Sequence, residues 1–289
     1  MRDKEDILIT KASGKIVPFS PDKLRQSLLR SGAGEKSVGK IIAEIIPKLY
    51  QEIPTKKIYK YAYKILKNSS GFMAGRYRLK KAIMELGPSG FPFEKFIAGI
   101  LRHQGYATRV GEIVEGKCVK HEIDVIAEKD THHFMIECKY HNQPGIFCDV
   151  KNPLYIQARF KDVEAQWLQL PGHGTKFHLG WLVTNTKFSR DAIQYGTCVG
   201  LYLLGWDYPY KKGLKDQIDS LGLYPITCLT SITRYEKQKL LSSKIVLCRE
   251  ILGNEKLLSS IGLNQARTIR VLEEVEQLCS IQSEKEEVK

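Results

Sequence analysis

Asp124, Glu137 and Lys139 stand inside two apolar stretches of residues 121–140, HEIDVIAEKDTHHFMIECKY. The alternation reads as two strands joined by a turn at EKDTHH, and strands of this kind favour β-branched and aromatic residues over charges. Successive strand residues point to opposite faces, so Glu137 and Lys139, two apart, share one face. Asp124 lies 13 residues before Glu137, which puts it near Glu137 across the hairpin. Two carboxylates meeting at a sheet end repel unless a cation lies between them. Hard divalent ions such as Mg²⁺ or Mn²⁺ take a few carboxylates and keep open positions for water and phosphate oxygens. A lysine beside such an ion orients a water or steadies charge developing on a phosphoryl group. The pattern points to phosphodiester hydrolysis. On spacing alone a second reading stays open: a Glu–Lys pair on a solvated strand face, with Asp124 ending a turn.

Other polar residues near the hairpin carry less. Cys138 alternates away from Glu137 and Lys139 and reads as a core thiol. His121, His132, His133 and His141 match no metal-ligand spacing. His132 and His133 fall in the expected turn and read as surface residues, while His141 follows the strand end and is the best placed for a supporting role. Gln157, on the next helix, reads as an exposed polar residue or one that contacts the site or nucleic acid.

The elements that must position these residues form the middle of three stretches. In residues 89–222 a helix (PFEKFIAGILRHQGY) precedes a strand (ATRVGEIVEG), and the hairpin follows. A helix (PLYIQARFKDVEAQWLQL), an apolar strand (FHLGWLVTN), a helix (SRDAIQYGTCVG), a strand (LYLLGW) and a helix (LKDQIDSLGL) complete it. Helices between strands predict an α/β layer fold around a mixed sheet. Residues 1–88 predict a short hairpin (ILITKASGKIVPF, turning at Ser13-Gly14) and four helices, the first capped by Ser20 with Pro21 at its first position. The Gly/Pro-rich ELGPSGFPF reads as a linker. Residues 223–289 predict a small helical region broken at Gly253-Asn254 and Gly262-Leu263, with a charged, frayed tail EKEEVK. Its LLSSIGLNQARTIRVLEEV reads as a helix–turn–helix or helix–hairpin–helix with Arg267 and Arg270 for DNA phosphate, or as a packing or oligomerisation element.

The net charge of +13 is unevenly spread. Residues 1–88 hold 19 Lys/Arg against 8 Asp/Glu, so +11 of the total lies there. Such a surface attracts phosphates, nucleotides and nucleic acid, or is simply solvated. No run approaches the ~20 apolar residues of a membrane span, and the charged start MRDKEDILIT has no apolar signal core. Seven scattered cysteines without a CxxC pair read as reduced thiols, so a cytoplasmic setting is expected.

With these residues in view, the middle stretch resembles the PD-(D/E)XK nucleases, and specifically the Mrr-like restriction endonucleases. HEIDVIA resembles the strand bearing the family aspartate, and FMIECKY the strand bearing its (E/Q)-x-K. FEKFIAGILRHQGY resembles the leading helix, with Glu94 where many members carry a further acidic residue; a charge favourable to the helix dipole explains Glu94 equally well. GWLVTNTKFSRDAIQYG and LYLLGWD resemble the elements that follow. The chain departs from many Mrr-like members in having KHEID and a glutamate, not glutamine, before the lysine. The resemblance implies a restriction-endonuclease-like sheet, catalytic Glu94, Asp124, Glu137 and Lys139, and a metal held by Asp124 and Glu137.

Residues 7–87 resemble an ATP-cone, the nucleotide-binding regulatory module known from ribonucleotide reductases. The pattern is carried by Ile9, Lys11, Gly14, Phe19, Asp22, Lys23 and Leu24, then Thr55 and Tyr59, then Lys81. Ala12 stands where the family usually has arginine, and Lys15 is the nearest substitute. The resemblance implies ATP or dATP bound by Ile9, Lys11, Lys23, Thr55, Tyr59 and Lys81; alternatively these lysines meet DNA backbone directly. Together the two likenesses imply a Mg²⁺-dependent DNA endonuclease of restriction or defence, regulated by an adenine nucleotide and acting as a homo-oligomer. The alternative is a catalytically silent, nucleotide-sensing DNA-binding regulator with a nuclease-like fold.

Overall fold

The computed structural model describes residues 7–280; the tail EKEEVK lies outside them. The chain folds as two compact units, one formed by the chain up to Ala82 together with the chain from Tyr224, the other by Ile83–Leu223. The three stretches of the sequence thus become two bodies, the first and last packing into one.

In the first unit the expected hairpin is β1 (Leu8–Thr10) antiparallel to β2 (Ile16–Pro18), and β3 (Ile53–Pro54) adds parallel to β1. Helix α1 (Pro21–Arg30) starts as predicted, the Ser20 hydroxyl accepting from Lys23 N–H. Helix α2 (Glu35–Ile45) stops short of the predicted LYQEI, because Pro47 tightens the chain into a 3₁₀ turn and Ile53 is taken by the sheet. Helix α3 (Thr55–Ser69) follows, and the single helix expected at AGRYRLKKAIMEL is two, α4 (Gly71–Tyr77) and α5 (Leu79–Met84), parted at Arg78. Leu28, Ile45, Ile53, Ala62 and Leu66 form their core.

The C-terminal stretch adds α10 (Arg234–Ser242), α11 (Glu255–Ser260) and α12 (Gln265–Cys279) to this unit. Buried Arg76 on α4 donates to the carbonyls of Leu278 (Nη2, 3.1 Å), Gln277 (3.3 Å) and Ser280 (2.6 Å), a guanidinium capping the negative end of α12. Gly75 allows this packing: a Cβ there would stand 3.2 Å from the Cys228 carbonyl oxygen and 3.3 Å from Leu278. Glu274 of α12 accepts from the backbone and hydroxyls of Thr230 and Ser231.

The second unit is a mixed five-stranded sheet flanked by helices. Helix α6 (Phe91–His103) leads into β4 (Ala107–Glu115), β5 (Lys120–Lys129) and β6 (His132–Lys139), an antiparallel meander. Helix α7 (Lys151–Trp167) crosses over to β8 (Phe177–Thr184), parallel to β6, and α8 (Arg190–Cys198) crosses to β10 (Tyr202–Leu204), parallel to β8; α9 (Leu214–Leu221) closes the unit. Two short strands, β7 (Phe147–Cys148) and β9 (Lys187–Phe188), pair separately. The sheet order is β10-β8-β6-β5-β4.

Ile156, Phe160, Val163 and Trp167 are the buried stripe of α7, at helical spacing. Phe160, Val163 and Trp167 pack on Ile123, Ile126 and Met135 of the sheet. Each such large side chain contributes about 1.5–3 kcal/mol on burial. This packing fixes α7 over β5 and β6, where the hairpin charges lie.

Candidate active site

The β5–β6 ladder runs from Lys129↔His132 to Val125↔Ile136, and continuing that register places Asp124 opposite Glu137. Past Val125 the Asp124 carboxylate Oδ2 accepts the Cys138 amide at 2.7 Å. That bond holds Asp124 against the end of β6, on the face where Glu137 and Lys139 project. The hairpin turn contracts to Asp130 and Thr131, with Asp130 at φ 52°, tighter than the six residues expected.

Glu137 is 6% exposed. Its Oε2 takes an ion pair from Arg159 Nη1 at 2.6 Å, whereas Oε1 is buried with no hydrogen-bond partner. Burial, and then the Asp124 charge, push Glu137 from the ordinary 4.5 up to about 8 despite Arg159. Glu94, reached from α6, rises to about 7 through its own burial and then the charges of Asp124 and Glu122. Burial likewise raises Asp124, though the Cys138 amide and Arg159 pull it down. Three carboxyls on three elements therefore share one field, and a single guanidinium is not enough positive charge to ionise them all. Lys139 is exposed at the mouth of this cluster, and its charge favours the Asp124 carboxylate.

A divalent ion fits this arrangement on two counts. The unpartnered Glu137 oxygen is a buried acceptor without a donor, which costs about 1–3 kcal/mol unless something satisfies it. The raised carboxyls report an excess of negative charge that two positive charges would relieve.

Arg159 is the residue that sequence reasoning missed. It sits on α7 beside the buried stripe, and its Nη2 also donates to the Glu122 carbonyl. The available signal was an arginine flanking an otherwise apolar helix face. Gln157, the polar residue singled out on that helix, is half-buried with Oε1 unpartnered.

The histidines depart from their reading as surface residues. His121 is half-buried and bonds Asp162 at 2.7 Å, and Asp162, held also by the Cys118 and Val119 amides, falls to about 2. His132 and His133 lie on β6, not in the turn, because the turn is only two residues long. His133 is 1% exposed, and burial lowers it to about 4. His141 is fastened through its backbone to Asn185, leaving Nε2 buried and unpartnered. Cys138 is half-buried, and burial raises its thiol well above the ordinary range.

The residues of the cone likeness fall in the first unit. Ile9 is on β1, Lys11 is exposed directly after it, Lys23 is exposed on α1 and Lys81 lies on α5. Pairing of Thr10 with Pro54 brings Lys11 beside Thr55, the first residue of α3. Tyr59 stacks on Tyr63 and Tyr77 at centroid distances of 6.1 and 5.2 Å. Of the two readings of this element, DNA contact or packing, the Arg267 contacts fit packing: it grips Glu236 at 2.6 and 2.9 Å and so fastens α12 to α10, while Arg270 stays exposed.

Residues 87–203 match the restriction endonuclease family of the Mrr catalytic type, and residues 224–279 match the C-terminal part of the AF1548-like family. An uncharacterized protein of Archaeoglobus fulgidus is 41% identical over 184 residues, covering 63% of this chain and 99% of the relative. The solved structure of AF1548, a protein of unknown function, is 38% identical with a TM-score of 0.54, covering 66% of this chain and 98% of that one. The chain belongs to the AF1548-like family. Within it, Ile83–Leu223 carries a restriction-endonuclease-family domain, and the mixed sheet with its flanking helices agrees with that fold. Among the described residues no helix is long and apolar enough to cross a membrane.

Proposed function

We propose that this AF1548-like protein is a metal-dependent endodeoxyribonuclease. The observation that carries the reading is the unpartnered, buried Glu137 oxygen beside Asp124 and Glu94, with Lys139 on the same strand, inside a restriction-endonuclease domain. Asp124 and Glu137 hold Mg²⁺ or Mn²⁺, with Glu94 assisting. When bound, the ion supplies Lewis-acid polarisation of the scissile phosphate and charge for the leaving oxygen. Arg159 fixes the Glu137 carboxylate through Oε2, so that Oε1 keeps one orientation. The Cys138 amide does the same for Asp124. Lys139 orients the attacking water and takes up part of the charge that develops on the phosphate.

DNA cleavage is measured with Mg²⁺ and with EDTA, for wild type, Asp124→Ala and Lys139→Ala. Metal-dependent cutting lost in both variants supports the assignment; cutting that survives both removes it. A fold-intact protein that binds DNA without cutting it under any metal condition would favour the silent regulator.

The finer reading adds regulation. Lys11 beside Thr55, with Lys23 and Lys81 on separate helices, offers cations and α3 amides for the phosphates of ATP or dATP. Nucleotide binding there shifts a conformational or oligomeric equilibrium of the nuclease. One site cuts one strand, so double-strand cleavage uses a homo-oligomer. Such an enzyme serves restriction or defence against foreign DNA in the cytoplasm.

A further inference from the structure

A second constellation in the nuclease unit uses none of the carboxylate machinery. His133 on β6, His178 on β8 and His173 in the loop between α7 and β8 bring ring nitrogens within 4.8 Å of one another. His133 and His178 are directly paired residues of neighbouring parallel strands, so their side chains rise from the same face. Trp167, at the end of α7, packs against both rings at centroid distances of 4.1 and 5.4 Å.

We propose that His133, His173 and His178 form a binding site for a borderline transition-metal ion of the Zn²⁺ class. Proton placement in the metal-free cluster supplies the first argument. His133 Nδ1 and His178 Nδ1 face each other at 3.3 Å. His133 Nε2 is buried, lacks a hydrogen bond and lies 3.7 Å from Glu128 Oε1; His178 Nε2 lies 3.3 Å from the His173 carbonyl oxygen. A neutral imidazole carries one proton. If His133 donates from Nδ1, its bare Nε2 faces a carboxylate. If His178 donates, its bare Nε2 faces a carbonyl. Either tautomer sets a lone pair against an oxygen, and adding a second proton to a buried ring is opposed by desolvation. A metal ion on both Nδ1 atoms removes the conflict, since each ring then keeps its proton on Nε2 and turns it to an oxygen. Metal-ligating histidines ordinarily have this support, the far nitrogen donating to a carboxylate or backbone carbonyl.

Geometry and donor type agree. Bonds of about 2.0–2.1 Å in tetrahedral zinc sites imply a nitrogen–nitrogen edge of about 3.3–3.4 Å, the spacing already present between the two Nδ1 atoms. His173 Nδ1 is buried and unpartnered, so the third ring has a nitrogen free to turn inward. Three imidazoles select zinc, nickel, cobalt or copper over magnesium, which prefers oxygen ligands. The charged groups facing the cluster are Glu128, Lys176 on its Oε2 at 2.7 Å, and Arg109 at 3.2 Å on its Oε1, the oxygen that faces His133. One carboxylate against two cations leaves one positive charge over, so the imidazole nitrogens must supply the attraction for the ion. His133 precedes Glu137 by four strand residues, about 13 Å along β6, so the site is separate from the carboxylates. An ion here ties the loop before β8 to the sheet centre.

The test uses the untagged full chain, stripped with EDTA and titrated with Co²⁺ in excess Mg²⁺, read by visible absorption. Zn²⁺ is read by thermal shift. The variants are His173→Gln, whose ring lies in a loop, and His178→Gln, with Asp124→Asn as the control for the carboxylate site. One equivalent of Co²⁺ with the intense bands of a four-coordinate ion, kept in Asp124→Asn and at least about tenfold weaker in both histidine variants, is expected. A Zn²⁺-dependent rise in Tm present in wild type and absent in His173→Gln accompanies it. The proposal is overturned if wild type binds no Co²⁺, if the histidine variants bind as wild type does, or if Asp124→Asn alone abolishes binding. None of these outcomes depends on nuclease activity.

Discussion

Replacing Glu137 by glutamine is expected to stabilise the metal-free protein at alkaline pH while abolishing its response to Mg²⁺. Glu137 is buried and rises from 4.5 to about 8, first through desolvation and then through Asp124. The folded protein therefore holds a proton that the unfolded chain releases near pH 4.5. Stability is lost as pH climbs from about 4.5 to about 8, and the full penalty is present above that. At about 1.4 kcal/mol for every tenfold in proton affinity, the gap corresponds to about 5 kcal/mol. Glu94 and Asp124 titrate in the same field, so the part that glutamine alone recovers is about 2–4 kcal/mol. Glutamine keeps the shape and still accepts from Arg159. The variant should match wild type at pH 5 and exceed it at pH 9 in EDTA, by roughly 4–10 °C in Tm. Millimolar Mg²⁺ should raise wild-type Tm at pH 9 and leave the variant unmoved. A variant no more stable than wild type at pH 9, in EDTA and with unchanged circular dichroism, would refute the charge-crowding argument on which the metal reading stands.

Further outcomes follow from the same contacts. Arg159→Ala leaves Glu137 buried beside two other carboxyls without its cation, and should cost about 3–5 kcal/mol in EDTA at pH 8, with Mg²⁺ restoring more stability than it adds to wild type; denaturant melts with and without metal check this. Lys139→Ala should keep the wild-type Tm and Mg²⁺ response but lower cleavage about 10²–10³-fold, because the ammonium is exposed and acts on the reacting groups. Glu274→Ala leaves the Thr230 and Ser231 amides and hydroxyls without their acceptor and should destabilise the first unit by about 2–4 kcal/mol, seen as early hydrogen exchange in α12. ATP or dATP should raise the wild-type Tm by a few degrees, and Lys11→Ala should remove most of the shift; no shift with any nucleotide would end the cone reading.

The sequence by itself determined the long strands and helices of the Ile83–Leu223 unit, though not the short β7 and β9 or the start of β6, and the face shared by Glu137 and Lys139. Period-2 and period-3.6 patterns are local, and the residues that write them are the ones that end up buried, as Ile123, Met135 and Val163 do. It also fixed the start of α1, because Ser20 and Pro21 act within one turn. Tertiary structure decided what depends on neighbours distant in sequence. Arg159 meets Glu137 only because α7 is laid across β5 and β6 by its apolar stripe, and no spacing in the sequence states which helix residue lands over which strand residue. The histidine cluster stayed hidden for the same reason: its members come from two strands and a loop, 45 residues apart at the widest, and a parallel pairing brought them together. The joining of α12 to α4 through Arg76 is likewise a long-range event. Local sequence chooses the element and the face; the burial of those faces against one another chooses which charges meet.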